Sequence, residues 1–180
     1  MSPVSDSLNA WLDFTTRTSK PFPFDVSDLA EHVVPDVDLV RALGQIVLRA
    51  KTDPAVLDRM AQVVGWGDAT SRLRRSRRPG VRRGDFGEAL ACEALEVFES
   101  FSVPVRKLRY QMDPEQTLHG TDIVAFKLNG HDRVQDLHFV ECKLRTFRNL
   151  PAGVEAHQQL VDDRAGEDVP EIVELRAIQG

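Results

Sequence analysis

Glu141 and Lys143 are the residues whose types and position first suggest chemistry. They lie near the end of a strand-like stretch, residues 134–144, so their side chains share one face roughly 6.5–7 Å apart. Burying an acid and an amine at the end of an apolar strand is costly unless they pair or bind something. The alternative is an ordinary ion pair at a solvent-exposed strand end, and the similar tripeptide at 174–176 shows how easily such patterns arise.

A second carboxylate is expected beside this pair, across a β-hairpin. Asn129-Gly130 is a strong turn signal between the strand-like stretches 121–128 and 134–144, which should therefore pair antiparallel. Asp122 opens the first stretch and Glu141 lies at the end of the second. The two carboxylates can consequently converge on one point.

Glu88 could supply a third carboxylate. It lies on the edge of the apolar arc of a helical pattern that begins at Asp85. Two or three carboxylates plus water form a Mg²⁺ site, because this cation takes oxygen ligands and keeps several waters. Such a metal polarises a phosphoryl oxygen and activates water, and the Lys143 ammonium can offset developing charge. Asp122, Glu141 and Lys143 are thus the minimal candidate site, which Glu88 completes.

The elements around these residues predict an α/β fold. The helix from Asp85 is followed by three strand-like stretches, a helix and a final strand or short helix. This order predicts an α/β sandwich in which helices cover a small mixed sheet. The strand-like stretches are 102–111, 121–128 and 134–144.

The N-terminal part is expected to be helical, because apolar residues such as Leu39, Leu43 and Ile46 recur at helical spacing. The stretch before Asp85 is expected to be a loop in its second half, where Pro79, Gly80 and Gly84 interrupt the pattern. The chain therefore divides into a helical N-terminal region (1–70), a basic Arg-rich linker (71–84) and the α/β core (85–180).

The charge distribution matters more than the net charge of -5, which by itself argues against a nucleic-acid partner. Seven arginines and no acid lie between Arg72 and Arg83, and Lys107 and Arg109 should share a face of the first strand, with Arg106 on the other. These residues could form a basic approach to the site. The alternatives are a solvated linker and an ordinary strand face. The candidate nucleic-acid-binding residues are Arg74, Arg75, Arg77, Arg78, Arg82, Arg83, Lys107 and Arg109.

The sequence lacks the features of membrane-spanning proteins, secreted proteins and cysteine-ligated metal sites. No run approaches the length of a membrane span, and the first residues lack the order of a signal peptide, so a cytoplasmic protein is expected. Cys92 and Cys142 lie in apolar surroundings and match no metal-ligand spacing, which indicates two reduced core residues.

The order of these motifs resembles the PD-(D/E)XK nuclease superfamily. Gly87-Glu88 lies on a helix, His119-Gly120-Thr121-Asp122 opens a strand, and Val140-Glu141-Cys142-Lys143 ends the next. Thr121 stands where the motif often has proline. Within the superfamily, the sequence is most similar to the nuclease subunit of Hachiman-type anti-phage systems, which works beside a helicase.

The resemblance implies a restriction-endonuclease-like α/β sandwich with a central mixed sheet flanked by helices. It also implies Mg²⁺, or Mn²⁺ in its place, held by Glu88, Asp122 and Glu141, with Lys143 as the fourth catalytic residue. DNA would be the substrate and a helicase subunit the protein partner. Related nucleases often place a polar residue on the following helix, where Gln158 or Gln159 could reach the cleft; an exposed helix position is the alternative.

Two other functions compete with an endonuclease. One is a non-catalytic, nuclease-like subunit that binds DNA or a helicase; the other is an acidic interaction protein with an accidental motif. All four polar positions, Glu88, Asp122, Glu141 and Lys143, are present, whereas degenerate members usually lose the lysine or a carboxylate. The sequence therefore favours the enzyme.

Overall fold

A computed structural model describes residues 3–19, 24–65, 76–111, 113, 115–116, 120–131, 133–144, 151–163 and 175–178. Both helices and strands are present, as the sequence predicts. The helices are α1 (Pro3–Trp11), α2 (Val37–Lys51), α3 (Pro54–Val64), α4 (Pro79–Val97) and α5 (Pro151–Asp163), with a 3-10 helix at Lys107–Tyr110. The strands are β1 (Leu12–Ser19), β2 (Phe24–Glu31), β3 (Ser102–Arg106), β4 (Ile123–Leu128), β5 (Val134–Val140) and β6 (Leu175–Ile178).

The described strands form two three-stranded sheets. One has the order β3-β4-β5 and is antiparallel throughout, which confirms the hairpin predicted at Asn129-Gly130. The other has the order β1-β2-β6, in which β2 pairs antiparallel with β1 and parallel with β6. The α/β class is confirmed, but the mixed sheet is the N-terminal one, and the sheet that carries Asp122 is antiparallel.

The prediction of a wholly helical N-terminal region is wrong. β1 and β2 form an antiparallel hairpin that pairs Leu12 with Glu31 and Ser19 with Phe24. The sequence of β1, LDFTTRTS, is rich in β-branched threonine, which favours a pleated strand over a helix. Helices α2 and α3 are confirmed, and the side chains of Asp36 and Asp53 cap their N-termini.

Two further boundaries differ from the sequence prediction. Helix α4 begins at Pro79, so residues 79–84 are helical and not a loop, because proline is well suited to the first turn of a helix. Strand β3 ends at Arg106, and the next four residues form the 3-10 helix. The strand alternation expected for Lys107 and Arg109 therefore does not apply. The final strand β6 is confirmed, but it joins the N-terminal sheet.

Helix α4 is the element on which both halves of the described chain pack. One of its faces places Ala89 and Ala94 in an apolar cluster with residues of α1, β1, β2 and α2, such as Leu8 and Ile46. Its other face places Leu95 in a second cluster with residues of the β3-β4-β5 sheet. The core thus runs continuously across the boundary predicted near residue 70.

A buried ion-pair network fixes α4 to β3. Arg106 Nη1 lies 3.0 Å from Glu93 Oε1, and Arg106 Nη2 lies 2.7 Å from Glu96 Oε2. Arg49 Nη1 approaches the other oxygen of Glu93 at 3.4 Å. The side chains of Arg106 and Glu93 are 5% and 2% exposed, so each charge depends on its partner. Burial raises the pKa of Glu93, and the arginines oppose that shift.

Both cysteines are free thiols, as predicted; Cys92 is buried and Cys142 half-buried. Burial raises the pKa of Cys92 to about 12, so this thiol stays protonated at neutral pH. None of the described helices has the length and apolar character required to cross a lipid bilayer.

We expect Arg106→Leu to lower the free energy of unfolding by about 3–5 kcal/mol, because it leaves Glu93 as a buried charge without its main partner. Urea denaturation measures this change. The control Arg41→Leu removes an exposed ion pair with Asp38 and should cost about 0–1 kcal/mol.

The double variant Arg106→Leu/Glu93→Leu separates charge from packing. Replacing both partners of a buried pair by apolar residues is often neutral, so this variant should recover much of the lost stability. A double variant no more stable than Arg106→Leu alone would show that packing, and not the ion pair, fixes α4 to β3.

Candidate functional site

The register of the β3-β4-β5 sheet brings the chemically important residues into one row. Ile123 pairs with Arg106 of β3 on one side and with Val140 of β5 on the other. The next position along each chain is therefore Lys107, Asp122 and Glu141, side by side. Asp122 and Glu141 converge as the sequence predicts, while Lys107 joins them from the start of the 3-10 helix that follows β3.

Glu141 is the most deeply buried carboxylate of this row, with a side chain only 1% exposed. Its Oε1 accepts a hydrogen bond of 2.5 Å from Lys143 Nζ. Its Oε2 is buried and has no hydrogen-bond partner among the described residues. Burial raises the pKa of Glu141, the charge of Asp122 adds to the shift, and Lys143 opposes it. An unpaired buried carboxylate oxygen is a metal ligand whose missing interaction a bound cation would supply.

Asp122 is held from two sides. Its Oδ1 lies 3.0 Å from Lys107 Nζ, and its Oδ2 accepts a hydrogen bond of 2.9 Å from the backbone N–H of Cys142. The chain reaches Asp122 through Gly120, whose φ of +87° is a conformation that other residues rarely adopt. Gly120 thus allows the turn that positions Asp122. The hydrogen bond from the Cys142 N–H connects Asp122 to the segment that contains Glu141.

Glu88 faces the row from helix α4. The residue is 8% exposed and accepts a hydrogen bond from the backbone of Leu108. Burial raises the pKa of Glu88 to about 8, and the charges of Asp122 and Asp85 add to the shift while Lys107 opposes it. Glu88 therefore lies near enough to Asp122 for the two charges to interact.

Lys143 is fixed by two side chains. Besides Glu141, its Nζ donates a hydrogen bond of 2.6 Å to Gln159 Oε1 on helix α5. Gln159, one of two glutamines that the sequence singled out, thus reaches the site through Lys143. Gln158 instead donates to Asp162 on the same helix and is exposed.

A close approach between α4 and the segment that follows β5 positions Glu88 relative to Glu141. A Cβ atom at Gly87 would lie 2.9 Å from the Cβ of Leu144, a separation that real side chains do not show. Glycine at 87 therefore allows α4 to approach the segment containing Glu141 and Lys143. The sequence contained Gly87 but gave no indication that Leu144 was its neighbour.

The residues present fit a divalent metal with water as part of its shell. The structure does not assemble three acidic, histidine or cysteine side chains into a ready metal cluster anywhere in its described ranges. Mg²⁺, however, is commonly held by one or two carboxylates and several waters. Asp122 and Glu141, with the unpaired Oε2, fit that pattern. Glu88 as a third ligand stays a prediction.

The candidate nucleic-acid-binding residues fall into three groups. Arg77, Arg78, Arg82 and Arg83 are exposed around the start of α4, and Glu115 accepts hydrogen bonds from the backbone of Arg77 and the side chain of Arg78. Arg109 donates to the carbonyl of Arg49 near the end of α2, and Lys107 lies in the site. The candidates Arg74 and Arg75 lie outside the described residues, as do Arg72 of the same stretch and His119 of the motif before Asp122.

Lys51 is a further cation beside the site that sequence reasoning missed. Its Nζ lies 2.5 Å from Asp85 Oδ2 and 3.1 Å from the side-chain oxygen of Gln111. Asp85 lies one turn before Glu88 on α4, and its charge influences Glu88. No local pattern links residue 51 to residue 85, so only the fold could show this pair.

The comparison with known families bears on the same region. A sequence model of the HamA family matches residues 14–164, which include Glu88, Asp122, Glu141 and Lys143. No curated protein matches the chain.

We expect Gly87→Ala to lower the free energy of unfolding by about 1–3 kcal/mol, because the added methyl group overpacks against Leu144. The matched control is Gly84→Ala on the same helix, where nothing lies within 4 Å of the added Cβ. Removing a helix glycine there should stabilise the protein by about 0.5–1 kcal/mol. Equal stability of the two variants in urea denaturation would contradict the close approach.

Proposed function

We propose that this chain, which belongs to the HamA family of Hachiman defence systems, contributes to anti-phage defence by metal-dependent cleavage of DNA. The observation that carries this proposal is the convergence of Asp122 and Glu141, with Lys143 beside them, at adjacent strand ends. Carboxylates in this arrangement, next to an ammonium group, suit phosphodiester hydrolysis.

Each residue has a defined part in the proposed reaction. Asp122 and Glu141 would hold the metal, and Lys143 would place its ammonium where the scissile phosphate gains negative charge. Gln159 keeps Lys143 oriented through its hydrogen bond of 2.6 Å. The chemistry that bound Mg²⁺ or Mn²⁺ supplies is polarisation of a phosphoryl oxygen and a lower pKa of the attacking water.

Glu88 limits the negative charge of the site. With a pKa of about 8, it is largely protonated at neutral pH, so a DNA phosphate meets fewer ionised carboxylates there. Its burial on α4 keeps that proton away from solvent. Glu88 thus tunes the electrostatics of the site even where it does not contact the metal.

A basic approach to the site begins at the start of α4. Arg77, Arg78, Arg82 and Arg83 are exposed there, and Glu88 lies on the same helix about 13 Å from Pro79 along its axis. One nucleic-acid backbone can therefore contact the arginines and reach the carboxylates. This placement supports DNA as the substrate.

The proposed setting includes a protein partner. The family works in a defence system with other proteins, and we propose a helicase as the partner that supplies DNA to this site. A nuclease in a living cell must be restrained, which is a reason for such an assembly. A non-catalytic subunit would bind the same DNA without cutting it, and the following experiment separates the two functions.

We expect the purified protein, alone or with its partner, to cut DNA in the presence of Mg²⁺ or Mn²⁺ and not with chelator. Glu141→Ala and Lys143→Ala should each abolish cutting while the chain remains folded. The controls Asp58→Asn, on the exposed face of α3, and Lys127→Met, on β4, should cut like wild type. Equal cutting by wild type and both site variants would contradict the assignment; DNA binding without cutting by wild type would support the non-catalytic subunit.

We expect replacement of Arg74, Arg75, Arg77 and Arg78 by glutamine to weaken DNA binding and flatten its salt dependence. The slope of log affinity against log salt should fall by about 0.9 for every arginine that binds a phosphate in the wild type. Fluorescence anisotropy over a salt series measures both quantities. The matched control replaces Arg41 and Arg59, on α2 and α3, by glutamine. A slope unchanged in the four-residue variant would make the segment a linker without a role in binding.

A further inference from the structure

We propose that Lys107 is a built-in cation of the site, which holds Asp122 in the metal-free protein and must release it before a divalent metal binds. The proposal rests on the proposed function in taking Asp122 as a metal ligand. It gives Lys107 a part different from the DNA contact that the sequence suggested. Lys107 would thereby control how readily the site takes up its metal.

The sheet register places Lys107 at Asp122. The last pair between β3 and β4 joins Arg106 to Ile123, so the next residue on each chain, Lys107 and Asp122, lie side by side. Lys107 Nζ lies 3.0 Å from Asp122 Oδ1, and the two side chains are 14% and 17% exposed. This is a half-buried ion pair inside the site and not a lysine extended into solvent.

The ammonium of Lys107 contacts the carboxylate oxygen of Asp122 that is the more available one for metal binding. Asp122 Oδ2 is engaged by the backbone N–H of Cys142 at 2.9 Å, which leaves Oδ1 as the more available oxygen. Lys107 contacts that oxygen. A divalent cation bound between Asp122 and Glu141 would lie within a few ångströms of the ammonium, in a place where solvent screens poorly. Metal and ammonium therefore compete.

The surrounding contacts show which lysine can move. Lys143 is anchored by Gln159 as well as by Glu141, so it keeps its position when Glu141 turns toward a metal. The second partner of Lys107 is the carbonyl oxygen of Gly120, 2.7 Å from its Nζ. Lys107 can release Asp122 and still donate to that carbonyl. The Lys107–Asp122 contact is also longer than the Lys143–Glu141 contact, 3.0 Å against 2.5 Å, and Asp122 is more exposed than Glu141, 17% against 1%, so opening the Lys107–Asp122 pair is the less costly change.

The charges around Asp122 and Glu141 explain why the Lys107–Asp122 pair is favourable in the metal-free protein. Asp122 faces Lys107 and Glu141 faces Lys143, so each of the two neighbouring carboxylates has one ammonium partner without any metal. This pairing reduces the repulsion between two half-buried acids. Because of this pairing, a metal ion that binds Asp122 replaces another cation, the Lys107 ammonium.

Isothermal titration calorimetry with Mn²⁺, and separately with Mg²⁺, tests the proposal on the full chain. We expect Lys107→Met to bind each metal roughly tenfold more tightly than wild type, since a nearby positive charge is lost. Lys107→Arg keeps the charge and should bind like wild type. Lys127→Met is the matched control: it is half-buried on β4, and its ammonium lies 4.3 Å from the ring centre of Phe101, so its loss should change nothing.

Two results would overturn the proposal: unchanged or weaker metal binding by Lys107→Met, or no metal binding by any variant. Lys107→Gln, which keeps a hydrogen-bond donor for Gly120, carries the test if thermal melting shows that Lys107→Met does not fold.

DNA cleavage is assayed separately. Tighter metal binding by Lys107→Met in a protein that cuts no DNA supports this inference and contradicts the nuclease. Cleavage by wild type without a change in metal affinity supports the nuclease and contradicts the inference.

Discussion

Two carboxylates lie side by side at the end of the β4–β5 hairpin, and their mutual repulsion is the constraint that the surrounding structure must satisfy. The pairing of Ile123 with Val140 makes Asp122 and Glu141 neighbours, so a one-residue slip of register would separate them. Cations, backbone N–H groups and helices are arranged around this row. Lys107 and Lys143 each pair with one carboxylate, and the Cys142 N–H holds Asp122.

Helix α4 links this site to the rest of the protein. It faces the carboxylate row with Glu88, closely approaches Leu144 in the segment after β5 at Gly87, and is fixed to β3 by the buried pair of Glu93 and Arg106. Because its other face packs on the N-terminal elements, the position of Glu88 depends on the whole described core. The matched family region begins within the N-terminal hairpin, which fits this continuity.

Local signals in the sequence indicated the hairpin and placed its two carboxylates near the far ends of the strands. Asn129-Gly130 indicates the turn, but a shift between Lys127 and Leu128 changes the register by one residue, so the exact pairing at the far ends of the strands depends on an irregularity that the turn signal does not encode. Contacts between distant segments left no such signal: Glu93 with Arg106, Gly87 with Leu144, and Lys107 with Asp122 depend on how elements pack.

The wrong predictions have similar causes. The β1–β2 hairpin departs from the prediction because the helical spacing further along the chain does not extend over residues 12–31, where threonines favour strands. At the start of α4, Gly80 and Gly84 favour a loop in the sequence, but the fit of Pro79 to a helix start prevails in the structure. The pairing of β6 with β2 joins segments far apart in sequence, which no local pattern encodes.

The central claim is that Asp122 and Glu141 together hold a divalent metal beside Lys143. Anomalous diffraction from a crystal soaked in Mn²⁺ tests it most directly, because the signal locates the ion independently of any activity. A peak in direct coordination distance of both carboxylates is the predicted result. A fully occupied Mn²⁺ peak elsewhere in the protein, with Asp122 and Glu141 still paired only to their lysines, would contradict it.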